Sequence, residues 1–234
     1  MDNIQKFSLP AIHEGEIPLA FMNSSIPRNK GVILAGDVGG TKTNLALFQI
    51  EAGDLVPLKE KSYPTIKYKS FLEMVSIFHT DDMPRINGIC LGVAGPVTQG
   101  KVYGTNFPWA IDSEEISREL HIRSVSLIND MEANAYGLAA LQDKDFETLM
   151  YGSKIRGNAA LISPGTGLGE AGMFWDGSHY HPFACEGGHC DFSPRNELDI
   201  KVLQYFRKKY EHVSWERLLS GPGILDLYLF LRQI

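Results

Sequence analysis

A glycine-rich turn occurs twice in this chain, each time where an apolar run of strand character ends. Residues 37–44 follow a VILA run and lead into LALF, while residues 163–169 follow AALI and lead into AGMFW. Glycine lets a backbone approach a ligand closely, and converging backbone N–H groups bind anions. Each turn therefore predicts a phosphate-binding bend between two strands, and the repetition predicts two related lobes around one polyphosphate.

The composition is that of an ordinary soluble globular protein, with 234 residues of which 44% are hydrophobic and 21% charged. The net charge of −6 argues against non-specific binding to nucleic acid or to an anionic membrane. No apolar run is long enough to span a membrane, and no signal peptide is evident. Three cysteines do not suit a disulfide scaffold. We therefore expect a cytoplasmic protein without a nucleic-acid or membrane partner.

The first predicted lobe covers residues 31–142 and follows an N-terminal extension, residues 1–30, which we expect to be loosely ordered. Hydrophobic periodicity and turn signals predict three strands, then a helix, a strand, a helix, a strand and a helix. Asp112 and Glu115 are spaced as a capping box for the second helix. The predicted elements are 31–37, 44–50, 55–63, 70–79, 89–94, 112–120, 124–128 and 131–141, with 101–106 extended. This order favours an α/β lobe with a mixed sheet.

The second predicted lobe covers residues 159–234, after a polar boundary at 143–158. It opens with three strands like the first lobe, but only helices follow, and the last one is densely apolar. The predicted strands are 159–163, 169–175 and 178–184, and the predicted helices are 197–210, 214–219 and 223–234. We expect this lobe to be incomplete, so that the chain is a fragment or another polypeptide completes it.

Two acidic positions follow predicted strands, and each has a functional and a purely structural interpretation. Asp37, beside the first glycine turn, can hold Mg²⁺ next to phosphates or can be an ordinary turn residue. Thr41 and Thr166 can donate hydroxyl hydrogen bonds to phosphate. Asn129 and Asp130 precede a helix, where both types are common N-caps. The alternative for Asp130 is a general base for phosphoryl transfer to an alcohol.

Further polar residues suit a sugar. Glu186 and His189 flank two glycines in a tight bend that aims both side chains inward. Zinc is a weaker alternative, because Cys185, His189 and Cys190 lack the spacing of paired ligands. We expect the two cysteines to be small buried hydrophobes. Asn106 can bind a sugar, with a plain turn as an equal alternative. Glu216 lies at the second position of a short predicted helix, where it would favour the helix dipole.

Taken together, these segments resemble the bacterial-type glucokinases of the actin-like sugar kinase superfamily. The ordered set covers residues 31–234 and is highly specific, although each member is modest alone. Its members are residues 36–41, 105–109, 128–130, 165–169, 186–192 and 212–223. The resemblance implies a ribonuclease-H-like (actin-like ATPase) fold of two lobes around a cleft, with the second lobe incomplete.

The resemblance also implies ATP-dependent phosphorylation of the glucose 6-hydroxyl, with Asp130 as the catalytic base. Other residues would bind the sugar hydroxyls, namely Asn106, Asn129, Glu186, His189 and Glu216. ATP phosphates and Mg²⁺ would lie against the two turns, at Asp37, Gly39, Gly40, Thr41, Gly165, Thr166 and Gly167, with Asp37 toward the metal.

Some features depart from the glucokinase pattern. Residues 41–43 look more like the related repressor and sugar-kinase family, but the cysteine-rich zinc motif of that family is missing. Ser163 and Pro164 replace a commoner small-residue pair. The adenine pocket would lie beyond this chain. A related hexose such as mannose or an N-acetyl hexosamine, a non-catalytic sugar-binding module and a homodimer all stay open.

Overall fold

A computed structural model describes residues 7–8, 17–21, 30–52, 54–103, 107, 109–153 and 155–233. Eleven strands and six α-helices lie in these ranges, and no helix in them is long and apolar enough to span a membrane. The strands are β1 (Phe7–Ser8), β2 (Lys30–Val38), β3 (Lys42–Glu51), β4 (Asp54–Pro64), β5 (Gly88–Val93), β6 (Lys101–Tyr103), β7 (Ala110–Asp112), β8 (Ser124–Asn129), β9 (Ala159–Pro164), β10 (Leu168–Trp175) and β11 (Tyr180–Cys185). The helices are α1 (Phe71–Phe78), α2 (Ser113–Leu120), α3 (Asp130–Gly137), α4 (Glu197–Phe206), α5 (Trp215–Leu219) and α6 (Gly221–Leu231).

The first lobe is built on a mixed sheet with the strand order β1-β4-β3-β2-β5-β8. The strands β2, β3 and β4 form an antiparallel meander, whereas β5 and β8 run parallel to β2. The alternation of buried and exposed residues along β2 and β3 matches a pleated strand with one buried face. The central parallel strand β5 is almost continuously buried, as expected when both faces of a strand are covered. The predicted mixed sheet is confirmed.

Helix α1 supplies much of the core on one face of this sheet. It begins after Ser70, whose side chain accepts a hydrogen bond from the Glu73 amide. Phe71, Met74 and Phe78 recur at helical spacing and are buried against the apolar residues of the sheet. These buried residues of α1 are part of the hydrophobic core of the first lobe.

Helix α3 lies between the first sheet and the second one. It contacts β5 and β8 on one side and β9, β10 and β11 on the other. Met131 and Ala135 of this helix are buried with Ala171 and Met173 of β10. A Cβ atom at Gly92 of β5 would lie 3.1 Å from the Ala133 Cβ, so the small residue allows α3 to approach closely. This packing places the amino end of α3 in the space between the lobes.

The second lobe consists of a three-stranded antiparallel sheet, ordered β11-β10-β9, and a separate helical cluster. The helices α4, α5 and α6 bury Phe206, Leu218 and Phe230 among other apolar residues. Helix α6 is apolar on its outer side as well, and its Ile224 and Leu225 are more than half exposed. The described residues therefore cover only part of the apolar surface of α6.

The structure differs from the sequence-based expectations at several places, among them the end of α3, which lies at Gly137 rather than at residue 141. Helix α6 begins at Gly221, two residues earlier than expected, because Ser220 caps it and a proline lies in its first turn. Helix α4 ends at Phe206 rather than at residue 210. Two pieces of the N-terminal extension make defined contacts, since β1 pairs with β4 and the buried Leu19 bridges to Tyr180.

Replacing Phe78 by alanine is expected to lower the free energy of unfolding by about 3–5 kcal/mol, because the ring is fully buried in the first-lobe core. The neighbouring Ile77 is 47% exposed and provides the matched control, with an expected loss below about 1 kcal/mol for Ile77→Ala. Urea unfolding followed by circular dichroism measures both. Similar losses for the two variants would contradict the assigned orientation of α1.

Candidate active site between the two glycine turns

Both glycine turns open into one cleft with a volume of about 1270 Å³. The cleft brings together every sequence-predicted site residue that the structure describes, while Asn106 lies outside the described residues. These residues are Asp37, Gly39, Gly40, Thr41, Asn129, Asp130, Gly165, Thr166, Gly167, Glu186, His189 and Glu216. The spatial convergence of segments far apart in sequence makes this cleft the candidate site.

The first turn connects β2 to β3 and is held by hydrogen bonds within its own lobe. The Gly39 amide donates to the Lys42 carbonyl (3.0 Å), and the Thr65 hydroxyl donates to the Gly39 carbonyl (2.7 Å). A buried hydroxyl pair, Thr43 with Thr65 at 2.9 Å, braces this arrangement. Within the described part of the chain, the amides of Gly40 and Thr41 have no hydrogen-bond acceptor. These two N–H groups are therefore available to an anion.

The second turn connects β9 to β10 and has the same feature. Its Gly165 amide donates to the Gly167 carbonyl (2.8 Å), which closes the bend. The Thr166 and Gly167 amides have no acceptor among the described residues. Each turn thus presents two unpaired backbone donors, and both pairs belong to the lining of the same cleft.

Asp37 is the penultimate residue of β2 beside the first turn, with its carboxylate exposed in the cleft. One of its oxygens, Oδ2, accepts a hydrogen bond from Asn44 Nδ2 (3.0 Å). Asn44 is in turn oriented by the Ser62 hydroxyl, which donates to Asn44 Oδ1 (2.7 Å). The sequence reasoning did not identify Asn44, although its place opposite Asp37 in a strand–turn–strand unit was a usable signal. The carboxylate is held in orientation while its other oxygen stays free of protein donors in the described part of the chain.

At the end of β8, the N-cap position that the sequence offered to either Asn129 or Asp130 is occupied by Asn129, and the role of Asp130 as a general base stays a prediction. Asn129 is buried and is the N-cap of α3, where its Oδ1 accepts from the Met131 amide (2.9 Å) and the Glu132 amide (3.2 Å). Its Nδ2 donates to the Gly95 carbonyl (3.1 Å), and its side chain also interacts with the Asp130 carboxyl group. The N-cap of α3 is therefore Asn129 and not Asp130.

Asp130 is the first residue of α3 and its carboxyl group is half-buried in the cleft. Burial raises the pKa of Asp130 above its ordinary value, and the negative charge of Asp37 raises it further. The Met131 amide, which donates to Asp130 Oδ1 (2.9 Å), opposes this shift of the pKa. A carboxylate whose pKa is raised is a better proton acceptor than an exposed aspartate, as a general base requires.

Three further side chains of the second lobe line the cleft. His189 Nε2 lies 3.7 Å from Glu186 Oε2, and His189 Nδ1 lies 3.8 Å from Glu216 Oε1. Glu216 also accepts a hydrogen bond from the Leu168 amide through Oε2 (3.1 Å). The side chains of Glu186 and His189 are about 60% exposed to the cleft, whereas that of Glu216 is 24% exposed. The carboxylates of Glu186 and Glu216 can accept hydrogen bonds, and the His189 ring can donate or accept one. Such a group of side chains can recognise several hydroxyl groups at once.

The expectation that both cysteines of this loop are buried hydrophobes is wrong. Cys190 is exposed, and Cys185 is half-buried at the edge of the cleft. Their loop turns sharply at residues 187–189, where the Gly188 backbone packs against the Leu168 carbonyl, and this bend leaves Cys190 facing outward. Across the ranges that the structure describes, no group of three or more His, Cys, Asp or Glu side chains has the arrangement of a metal site.

The fold and the cleft together define a class, namely two-lobed sugar kinases of the actin-like ATPase type. The crystal structure of a glucokinase from an Antarctic psychrotroph matches with a TM-score of 0.67 and 29% identity, over 87% of this chain and 65% of that one. A hexokinase from Schistosoma mansoni shares the fold at a TM-score of 0.53 and 19% identity, over 87% of this chain and 52% of that one. The expected fold class is confirmed.

Within that class, the chain belongs to the glucokinase family, whose model matches residues 34–234. The glucokinase of a Nostoc species is 40% identical over 208 residues, which cover 86% of this chain and 61% of the relative. The glucokinase of Tolumonas auensis is 34% identical over 201 residues, which cover 84% of this chain and 61% of the relative. The chain spans about 61% of the length of these relatives.

We expect Asp130→Asn to be at least as stable as the wild type at neutral pH. Because the folded-state pKa of Asp130 is raised, its contribution to stability is present below the unfolded pKa and is lost as pH rises through the folded pKa. Asparagine removes this loss, so its advantage should grow as pH rises and vanish in acid. Urea unfolding at several values between about pH 3.5 and pH 7.5 measures it.

Asp112→Asn is the matched control with the opposite sign. A hydrogen bond from Lys101 is the main cause that lowers the pKa of Asp112, which also caps α2. This variant should lose stability at neutral pH and approach the wild type as pH falls. If Asp130→Asn instead loses stability at neutral pH as Asp112→Asn does, the assigned environment of Asp130 is wrong.

Proposed function

We propose that this chain provides the hexose site and the phosphate turns of an enzyme that transfers the γ-phosphoryl group of ATP to the 6-hydroxyl of glucose. The observation that carries the proposal is the pairing, in one cleft, of four unpaired turn amides with the half-buried Asp130. Relatives that are 34–40% identical are named glucokinases, which supports the same activity here. The cytoplasm, where ATP is abundant, is the proposed location.

In the proposed reaction, the two turns bind the phosphates from opposite sides. The amides of Gly40 and Thr41 belong to the first turn, and those of Thr166 and Gly167 to the second. Donors held in place by a folded turn stabilise the charge of the transferring group without reorganising. The lysine that follows the first turn, Lys42, also lines the cleft and adds positive charge there.

Asp130 accepts the proton of the 6-hydroxyl as the new bond from that oxygen to phosphorus forms and the bond from phosphorus to the ADP oxygen breaks. Its raised pKa suits this task, because a base whose pKa approaches the working pH takes the proton more readily. The first-turn and second-turn amides hold the phosphoryl group in line with the attacking oxygen.

Asp37 fits a magnesium ion, since its carboxylate is exposed in the cleft, is oriented by Asn44 and lies beside the first phosphate turn. Bound Mg²⁺ would neutralise phosphate charge, with Asp37 contacting it directly or through water.

Glu186, His189, Glu216, Asn129 and Asn106 are proposed to bind the other hydroxyl groups. Polar groups that must each find a partner discriminate strongly against a sugar that lacks a hydroxyl. We propose glucose as the substrate, with mannose and N-acetyl hexosamines as the competitors to test.

Replacing Asp130 by alanine is expected to lower kcat by about 10²–10⁴-fold, because the proton acceptor is lost. A coupled assay of ADP release with glucose and ATP, on the protein that carries this sequence, measures the change. Asp112→Asn, outside the cleft, should keep the wild-type rate. Full turnover in Asp130→Ala would show that the assigned base is wrong.

Calorimetry separates this kinase from a non-catalytic sugar-binding module. Heat from glucose together with heat from the ATP analogue AMPPNP is expected for the kinase. Glucose heat without ADP formation and without nucleotide heat would favour the module. The absence of any glucose heat would contradict both sugar-binding functions.

Asp37→Asn is expected to raise the Mg²⁺ concentration for half-maximal rate by roughly tenfold or more, because a neutral amide binds the cation less well than a carboxylate. Glu60→Gln removes an exposed carboxylate of β4 outside the cleft and is the charge-matched control. A magnesium titration of the initial rate measures both. An unchanged titration for Asp37→Asn would remove Asp37 from the metal site.

A further inference from the structure

One segment of the second lobe, residues 213–221, connects the chain next to the His189 loop to the second glycine turn. At its start, the Phe192 amide donates to the Val213 carbonyl (2.9 Å) and the Trp215 amide donates to the Cys190 carbonyl (3.1 Å). At its end, the Gly221 amide donates to the Gly165 carbonyl (2.8 Å). The segment is therefore hydrogen-bonded both to the chain that follows the His189 loop and to the turn proposed to bind phosphate.

Glu216 lies in the middle of this segment, and its carboxylate reaches both the second glycine turn and His189. Its Oε2 accepts from the Leu168 amide, directly after the second turn, and its Oε1 faces His189. The Glu216 carboxylate packs so closely on Gly167 that a Cβ atom there would overlap it. A side chain at this position would displace the Glu216 carboxylate from the turn.

We infer that Glu216 is a positioning residue through which a bound hexose orders the second phosphate turn. The inference rests on the proposed function, since it assumes that a hexose binds beside His189. A carboxylate has about four acceptor sites, so Glu216 can accept from the Leu168 amide and from a hexose hydroxyl together. A hexose that immobilises this side chain also immobilises the amide bonded to it.

The consequence is coupling between the two substrates. The turn loses conformational freedom when the hexose binds, so phosphates that arrive afterwards bind a turn that is already ordered. By linkage, phosphates bound to the turn strengthen hexose binding by the same factor. Hydrolysis of ATP without a hexose is disfavoured on the same grounds, because the second turn is then less well ordered.

Glu186 provides a matched comparison within the same site. Its carboxylate also faces His189 and is more exposed than that of Glu216. It makes no hydrogen bond to the second turn within the described ranges. Glu186→Gln should therefore weaken hexose binding and leave the link to the turn intact.

The experiment is amide hydrogen exchange, followed residue by residue by NMR, with and without saturating glucose. Saturation is set for each variant by calorimetry. In the wild type, glucose is expected to slow exchange of the Leu168 amide by about tenfold or more. In Glu216→Ala the slowing should fall below about twofold, while residues 186–190 are still protected by glucose.

Two further variants make the result specific. Glu216→Gln keeps an oxygen that accepts from the Leu168 amide, so it should retain most of the slowing. Gly167→Ala should lose it, because the added Cβ displaces the Glu216 carboxylate. A merely structural role of Glu216 would raise exchange of the turn equally with and without glucose.

The inference is overturned if Glu216→Ala retains the full glucose-dependent slowing at Leu168. It is also overturned if glucose protects residues 186–190 of the wild type and leaves Leu168 unchanged. A wild type that gives no glucose heat contradicts the proposed function itself, so the two failures are distinguished before any exchange is measured.

Discussion

The parallel pairing of β2, β5 and β8 is the constraint on which the rest of the site depends. In this register Val38, Val93 and Asn129 lie side by side at the carboxyl ends of their strands. The carboxyl ends of parallel strands meet at one edge of a sheet, where ligands of open α/β sheets bind. Asp37 precedes this line by one residue and Asp130 follows it by one, so strand pairing alone brings two distant carboxylates together.

The close packing of α3 on β5 decides what these carboxylates can do. Gly92 allows the helix to approach, and the helix then carries Asp130 into a half-buried position. Burial and the neighbouring charge of Asp37 raise the pKa of Asp130, which costs folding free energy at neutral pH. Asn129 offsets part of this cost by capping the same helix. A half-buried carboxyl group with a raised pKa and the N-cap of a helix thus occupy adjacent positions, as the proposed site would require if it trades stability for function.

Local features of the sequence predicted most of the fold. Strand bounds were within two residues at nearly every element of the first sheet, because alternation and glycine turns are read over short windows. The start of α6 was missed although Ser220 and the following proline are a helix-start signal. The twelve predicted site residues that the structure describes all line the cleft, and they were chosen from motifs rather than from periodicity.

The sequence could not predict contacts that depend on chain segments far apart. The Asn129 amide donates to Gly95, 34 residues away, and Glu216 accepts from Leu168, 48 residues away. For Glu216, the neighbouring residues in the sequence indicated only a favourable interaction with the helix dipole, because no residue of its own helix indicates a contact with a glycine turn. The exposure of Cys190 likewise follows from the bend of its loop and not from the residue type.

The two glycine turns resemble each other in sequence but differ in what holds them. The first is braced inside its own lobe by the buried hydroxyl pair of Thr43 and Thr65. The second is contacted on its two sides by Gly221 and Glu216, which come later in the chain than the loop that contains His189. A turn braced by a buried core is formed before any ligand arrives. Under the proposed function, a turn braced by a partly exposed side chain in the cleft would respond to what binds there, so the repeated motif would give one fixed and one responsive phosphate contact.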